Sequence, residues 1–111
     1  MAQPHVNSGQ VVSVLPLGEQ LSGARTTALL KAEQLEVVRI VLHAGKELRE
    51  HKVAGEITVQ CLEGDVEFRT PDALHPLRAG DFIHLRGDAP HSLLARTDSS
   101  VLVTICLVAP R

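Results

Sequence analysis

Short apolar runs recur along the chain, parted by turn-forming positions: Gly18, Gly23, Gly45, Gly55, Gly64, Pro71-Asp72, Gly80-Asp81, Gly87-Asp88 and Thr97-Asp98-Ser99-Ser100. The runs are rich in Val, Ile, Leu and Thr, and the turn marks fall at the spacing of an all-β sandwich or barrel. The pattern predicts strands near 11–15, 25–31, 35–43, 57–62, 65–69, 74–77, 82–85, 91–96 and 101–108, with little or no helix. Because side chains alternate across a strand, Ile57, Val59 and Cys61 share one face, and Thr58 and Gln60 the other. Val66 and Phe68 oppose Asp65, Glu67 and Arg69 in the same way, and His91, Leu93 and Ala95 fall on a single face. "ALLKAEQLEVV" has some helical character, but Thr26-Thr27 before it and "VVRIVL" after it favour strands. No repeat, low-complexity segment or linker interrupts the pattern.

Length and composition narrow this picture. A chain of 111 residues is one domain with a single core. With 44% apolar residues it is not a disordered chain. No apolar run approaches the roughly 18 residues that span a bilayer, so no membrane role is expected. The polar start "MAQPHVNSGQ" lacks the basic and apolar regions of a signal peptide, which predicts a cytoplasmic protein. Cys61 and Cys106 each sit inside an apolar run and read as two buried thiols rather than a disulfide. A net charge of −2 without a basic cluster, and two Phe with no Tyr or Trp, argue against nucleic acid.

Two segments carry a more specific signal, "GKELREHKVAGEITVQCLEG" at 45–64 and "GDFIHLRGDAPHSLLA" at 80–95. In register and separation they resemble the two motifs of the small single-domain cupins, the RmlC-like superfamily. Gly45 takes the place of the opening glycine, His51 that of the first histidine and Gly64 that of the closing glycine. Gly80 opens the second motif and His91 is its histidine. The resemblance covers about residues 35 to 108 and implies a double-stranded β-helix (jelly-roll) barrel over 35–111. Residues 1–34 would then add strands to that barrel or to a dimer interface.

Departures from the motifs bear on chemistry. Cupin metal sites commonly use three histidines and a carboxylate for iron, manganese, nickel or similar ions. Here Val53 stands for the second histidine and Ile57 for the glutamate, while Arg86, Asp88 and Ala95 replace the proline, glycine and asparagine of the second motif. His51 and His91 remain as the candidate metal ligands for a divalent transition metal such as Zn, Fe, Ni or Mn. A third donor would come from elsewhere or from the substrate. Glu56 lies one residue before the ligand place, where alternation points it to the other face. His84 shares a face with Phe82, and the pattern leaves open whether that face is inward. His5, His43 and His75 read as solvated residues at strand ends or in loops. Arg86-Gly87-Asp88 reads as turn chemistry, and Cys61 as a core thiol.

Three functions fit these residues. The first is a small-molecule binding protein with a barrel pocket lined by Val53, Ile57, Val59, Cys61 and Leu93 around the two histidines. The second is a metal-dependent enzyme, an oxygenase or isomerase, with an incomplete metal site. The third is a structural or interaction module with an empty pocket. A cupin-type sugar epimerase is disfavoured, since such enzymes pair a histidine with a tyrosine and this chain has none. The sequence further predicts that the fold brings His51 and His91 face to face at the barrel mouth, where burial would lower both pKa values. A homodimer is expected, because the apolar segments "VVSVLPL" and "TTALLK" lie outside both motifs and could cover strand edges.

Overall fold

A computed structural model describes residues 5–107. Nine antiparallel strands follow a short 3-10 helix, Gly18–Gly23: β1 (Thr27–Lys31), β2 (Leu35–Leu42), β3 (Glu47–His51), β4 (Ile57–Glu63), β5 (Asp65–Thr70), β6 (Ala73–Arg78), β7 (Phe82–Leu85), β8 (His91–Ala95) and β9 (Ser99–Cys106). They form a five-stranded sheet in the order β1-β2-β9-β4-β7 and a four-stranded sheet in the order β3-β8-β5-β6. The two sheets close on one another as an all-β jelly roll.

Period two decides what each sheet contributes to the interior. Ile57, Val59 and Cys61 of β4 stand beside Val101 and Val103 of β9, and all five are buried. Val66 and Phe68 of β5, Leu77 of β6, and Leu93 and Ala95 of β8 meet them from the other sheet. Each Val, Leu, Ile or Phe among them contributes roughly 1.5–3 kcal/mol on leaving water. Gly64 joins the two sheets at the β4–β5 corner with φ 95°, a conformation that disfavours L side chains, and it lies hard against Ser99. Cys61 is held at this closed end, where its amide donates to Asp81 O. Burial pushes its thiol up to about 11, which makes it an inert core group. No disulfide joins it to Cys106.

The outer face of the five-stranded sheet is crossed by the N-terminal segment. Arg39, on the solvent side of β2 by alternation, is nevertheless buried and donates from Nη2 to Leu15 O at 3.1 Å. Glu63 accepts from the amides of Leu17 (3.0 Å) and Gly18 (3.1 Å) and from Ser100 Oγ (2.6 Å). His43 Nε2 donates to Ser22 O at 3.1 Å, and Leu21 is buried beneath the 3-10 helix.

Several strand assignments differ from the sequence pattern. Residues 11–15 form no strand; Val11 and Leu15 point to solvent and the segment has no ladder partner. Its backbone is instead gripped by side chains of the sheet. β3 is absent from the sequence pattern because Glu47, Arg49, Glu50 and His51 leave only Leu48 as an apolar position. It is an edge strand, paired on one side to β8, and so shows no alternating apolar face. The last strand begins at Ser99 rather than 101, and residue 108 of the expected strand lies outside the described residues. No helix among the described residues is long and apolar enough to cross a membrane.

Candidate functional site

The open end of the barrel is built from the end of β3, the 52–56 loop, the β5–β6 turn and the 86–90 loop. Its first determinant is a bulge. β3 pairs with β8 through Leu48↔Leu93 and His51↔His91, so three steps on β3 match two on β8. Plain alternation would put Leu48 and His51 on opposite faces, and the extra residue returns both to the side of Leu93 and His91. His51 thereby lies against His91, with ring centroids 4.2 Å apart and planes tilted by 58°. The face-to-face expectation for the two histidines is met by neighbouring strands of one sheet.

Backbone carbonyls fix the tautomer of each ring. His51 Nδ1 lies 2.8 Å from Arg49 O, within the bulge, and His91 Nδ1 lies 3.0 Å from Ala89 O. A carbonyl oxygen can only accept, so both Nδ1 atoms carry the proton and the neutral rings keep an Nε2 lone pair. Beneath them, Phe68 is fully buried and stacks on His91 at 5.5 Å with an interplanar angle of 6°. Burial lowers the pKa of His91 from its ordinary value, assisted by the neighbouring His51 and opposed by the Ala89 carbonyl. His51 is exposed, so the expectation of burial applies to His91 alone.

The other candidates are placed as follows. Val53 is half-buried and packs against the core, with its carbonyl accepting from Asp88 N at 2.8 Å. This bond, and the close approach of Gly87 to Ala54 O, lock the 52–56 loop to the 86–90 loop. Ile57 and Leu93 are buried at this end of the core on opposite sheets, Val59 is deeper, and Cys61 is at the far, closed end. A cavity of about 660 Å³ opens beside them, between β6 and β7, and none of the five lines it. Its walls are the β5–β6 turn, Ile83 and Leu85 of β7, and the 86–90 loop, with His75 and Thr70 on one side. His75 is therefore not a solvated histidine: it is half-buried, with Nε2 3.3 Å from Thr70 Oγ1. The sequence missed it because Pro76 and exposed Leu74 obscure the alternation of β6, an edge strand.

His84 points outward with Phe82, while Ile83 and Leu85 pack against the core. Its Nε2 meets Glu56 Oε1 at 2.7 Å, which takes both residues out of the histidine pair's surroundings. Among the described residues no three His, Cys, Asp or Glu side chains converge on a metal-binding geometry. The two Nε2 atoms suit a divalent transition ion, yet two donors do not make a closed protein-held site.

No protein-family model and no curated protein matches the chain. Solved structures do. A conserved protein of unknown function from Streptococcus pyogenes superposes with a TM-score of 0.73 at 21% identity, over 100% of this chain and 99% of that one. An RmlC-like cupin from Desulfovibrio desulfuricans is 30% identical over 92% of this chain and 97% of its own, with a TM-score of 0.68. A predicted oxalate decarboxylase from Thermotoga maritima is 26% identical over 75% and 79% of the two chains, with a TM-score of 0.68.

Proposed function

The chain belongs to the RmlC-like cupins, and from that premise we propose that it binds a small molecule at the barrel mouth, with His51 and His91 as the polar anchor. The observation that carries this reading is the fixed tautomer of the pair, which leaves an Nε2 lone pair on each of two rings whose centroids are 4.2 Å apart. Val53, Ile57 and Leu93 supply apolar surroundings, and a few placed polar groups in an apolar setting are the usual form of a small-ligand site. Val59 and Cys61 act beneath it as packing. Two acceptors select a ligand that brings hydrogen-bond donors, such as a compound with neighbouring hydroxyls. His91, held neutral by its burial, keeps its acceptor near pH 7.

A second reading, a metal-dependent enzyme, draws on the same lone pairs. A divalent ion would rest on His51 and His91 and take its remaining donors from the ligand. The third reading, an empty structural module, is the outcome if neither binds. The chain is further proposed to act as a cytoplasmic homodimer, with residues 1–34 contributing to the barrel and the interface and with neither nucleic acid nor membrane as a partner.

The test is a thermal-shift screen with hydroxyl-bearing small molecules and with Zn²⁺, Fe²⁺, Ni²⁺ and Mn²⁺, run on the wild type and on a His51→Ala/His91→Ala variant. A shift that the double variant loses, while its circular dichroism stays that of the folded barrel, supports the reading. A shift of equal size in both proteins overturns it. Metal analysis of protein purified without an affinity tag separates the ligand and metal arms.

A further inference from the structure

The cleft between β6 and β7 carries charged side chains outside the histidine pair. Arg86, Asp72 and Asp88 stand on its walls, and among the described residues none of the three side chains has an ion pair or hydrogen bond. They border one cavity without neutralising one another. Asp88 is the one non-glycine residue with positive φ among those described, at 62°, so the loop holds it in a conformation that Asp and Asn tolerate better than other side chains. Behind the charges the wall is aliphatic: Ile83, Leu85, Ala73 and Pro90.

We propose that this cleft binds a small zwitterionic amine of the α-amino-acid type, its carboxylate on Arg86 and its ammonium on Asp72 and Asp88. The charge pattern selects the class. Among Arg86, Asp72 and Asp88, one cation stands against two carboxylates, so a plain anion is repelled and a ligand carrying a positive group is favoured. A guanidinium takes a carboxylate through paired N–H donors, and the carboxylates accept from an ammonium that has three. A neutral sugar fits less well, because the cleft presents no Phe, Tyr or Trp ring as a stacking platform. It would also leave Arg86, Asp72 and Asp88 without opposite partners. The aliphatic wall takes the ligand's carbon frame, and about 660 Å³ holds a molecule of this size with room to spare. The Thr70–His75 pair adds a hydroxyl and an imidazole at the side of the cleft.

The experiment is a heteronuclear NMR titration of the full chain with each free L-α-amino acid in turn, up to about 10 mM, a range that detects millimolar dissociation constants. At least one should shift the amide signals of residues 70–75 and 83–90 in a saturable way. Its N-acetyl derivative, which lacks the ammonium, and its amide, which lacks the carboxylate, should each bind at least about tenfold more weakly. Arg86→Ala and Asp72→Asn/Asp88→Asn should cause losses of the same order, with Asn chosen at 88 because it keeps the loop conformation. The His51→Ala variant, which leaves the His91 Nδ1–Ala89 O bond in place, should bind as the wild type does, which separates this site from the histidine pair. Absence of saturable shifts for every amino acid would overturn the proposal. So would equal binding of the two blocked derivatives, or binding that survives both cleft variants.

Discussion

His91 is held between two rings: Phe68 lies parallel to it at 5.5 Å, and His51 leans on it from the neighbouring strand at 4.2 Å. Since the Phe68 ring is fully buried, it acts as a rigid floor on which the imidazole rests. Phe68→Ala should cost about 3–5 kcal/mol, as expected for a large core ring. Phe68→Leu keeps most of the packing and should cost about half as much or less, which isolates the stacking. In that variant the ring proton signals of His91 should move and broaden while the strand content stays constant. If the His91 signals are unchanged, the floor does not orient the ring.

Titration of His91 gives a prediction with a defined sign. Its folded pKa lies below the ordinary value of 6.5, chiefly through burial. Above that ordinary value the folded and unfolded states are both neutral at this residue, and its protonation costs the fold nothing. As pH falls through 6.5 the unfolded chain takes up a proton before the folded one does. Stability is therefore lost progressively down to the folded pKa, below which the loss is complete. Melting temperatures measured from pH 8 to pH 5 should fall, and His91→Asn should flatten this part of the curve. An identical slope in the variant would assign the acid sensitivity to other groups.

Glu63 offers the complementary case. Burial raises its pKa, but the amides of Leu17 and Gly18, the Ser100 hydroxyl and the Arg39 charge outweigh it, so the net shift is downward from 4.5. A depressed carboxylate pKa contributes stability that is present above the unfolded value and lost as pH falls through the folded one. Glu63→Gln removes the charge from these bonds and should cost about 1–3 kcal/mol. Limited proteolysis should then cut within residues 7–24 faster than in the wild type. Unchanged cleavage would mean that the segment is held by Leu21 and Arg39 without it.

The expected homodimer can be tested by light scattering at micromolar concentration, which should report twice the 12.0 kDa of the chain. Phe82, on the edge strand β7 and 61% exposed, is the large apolar residue an interface on this sheet should cover. Phe82→Ser should leave the fold intact and shift the mass toward the monomer. A wild-type mass of one chain would end the expectation.

The sequence carried the barrel more fully than the site. Strands with one buried face, such as Ile57–Val59–Cys61 and Val66–Phe68, announce themselves because the core imposes period two on them. β3 does not, since an edge strand at the open end meets the core through Leu48 alone. The bulge that brings His51 to the side of His91 has no sequence mark: Arg49 and Glu50 are ordinary charged residues, and the extra step is visible only against the partner strand. His91, on a regular strand, was placed correctly with Leu93 and Ala95. The cleft was hidden for a different reason. Its walls come from the β5–β6 turn and the 86–90 loop, separated by β6 and β7, and each by itself reads as turn chemistry.

The grip on the N-terminal segment has a consequence for how this chain tolerates change. Glu63, Arg39 and His43 reach out from the sheet and hold Leu17 N, Gly18 N, Leu15 O and Ser22 O, all of them main-chain atoms. A clasp that touches only the backbone reads shape and ignores spelling. Substitutions at exposed positions such as Val11, Leu15 and Gln20 should therefore be silent, and much of the information that fixes the path of this segment is written some twenty to fifty residues downstream, in the letters of the sheet.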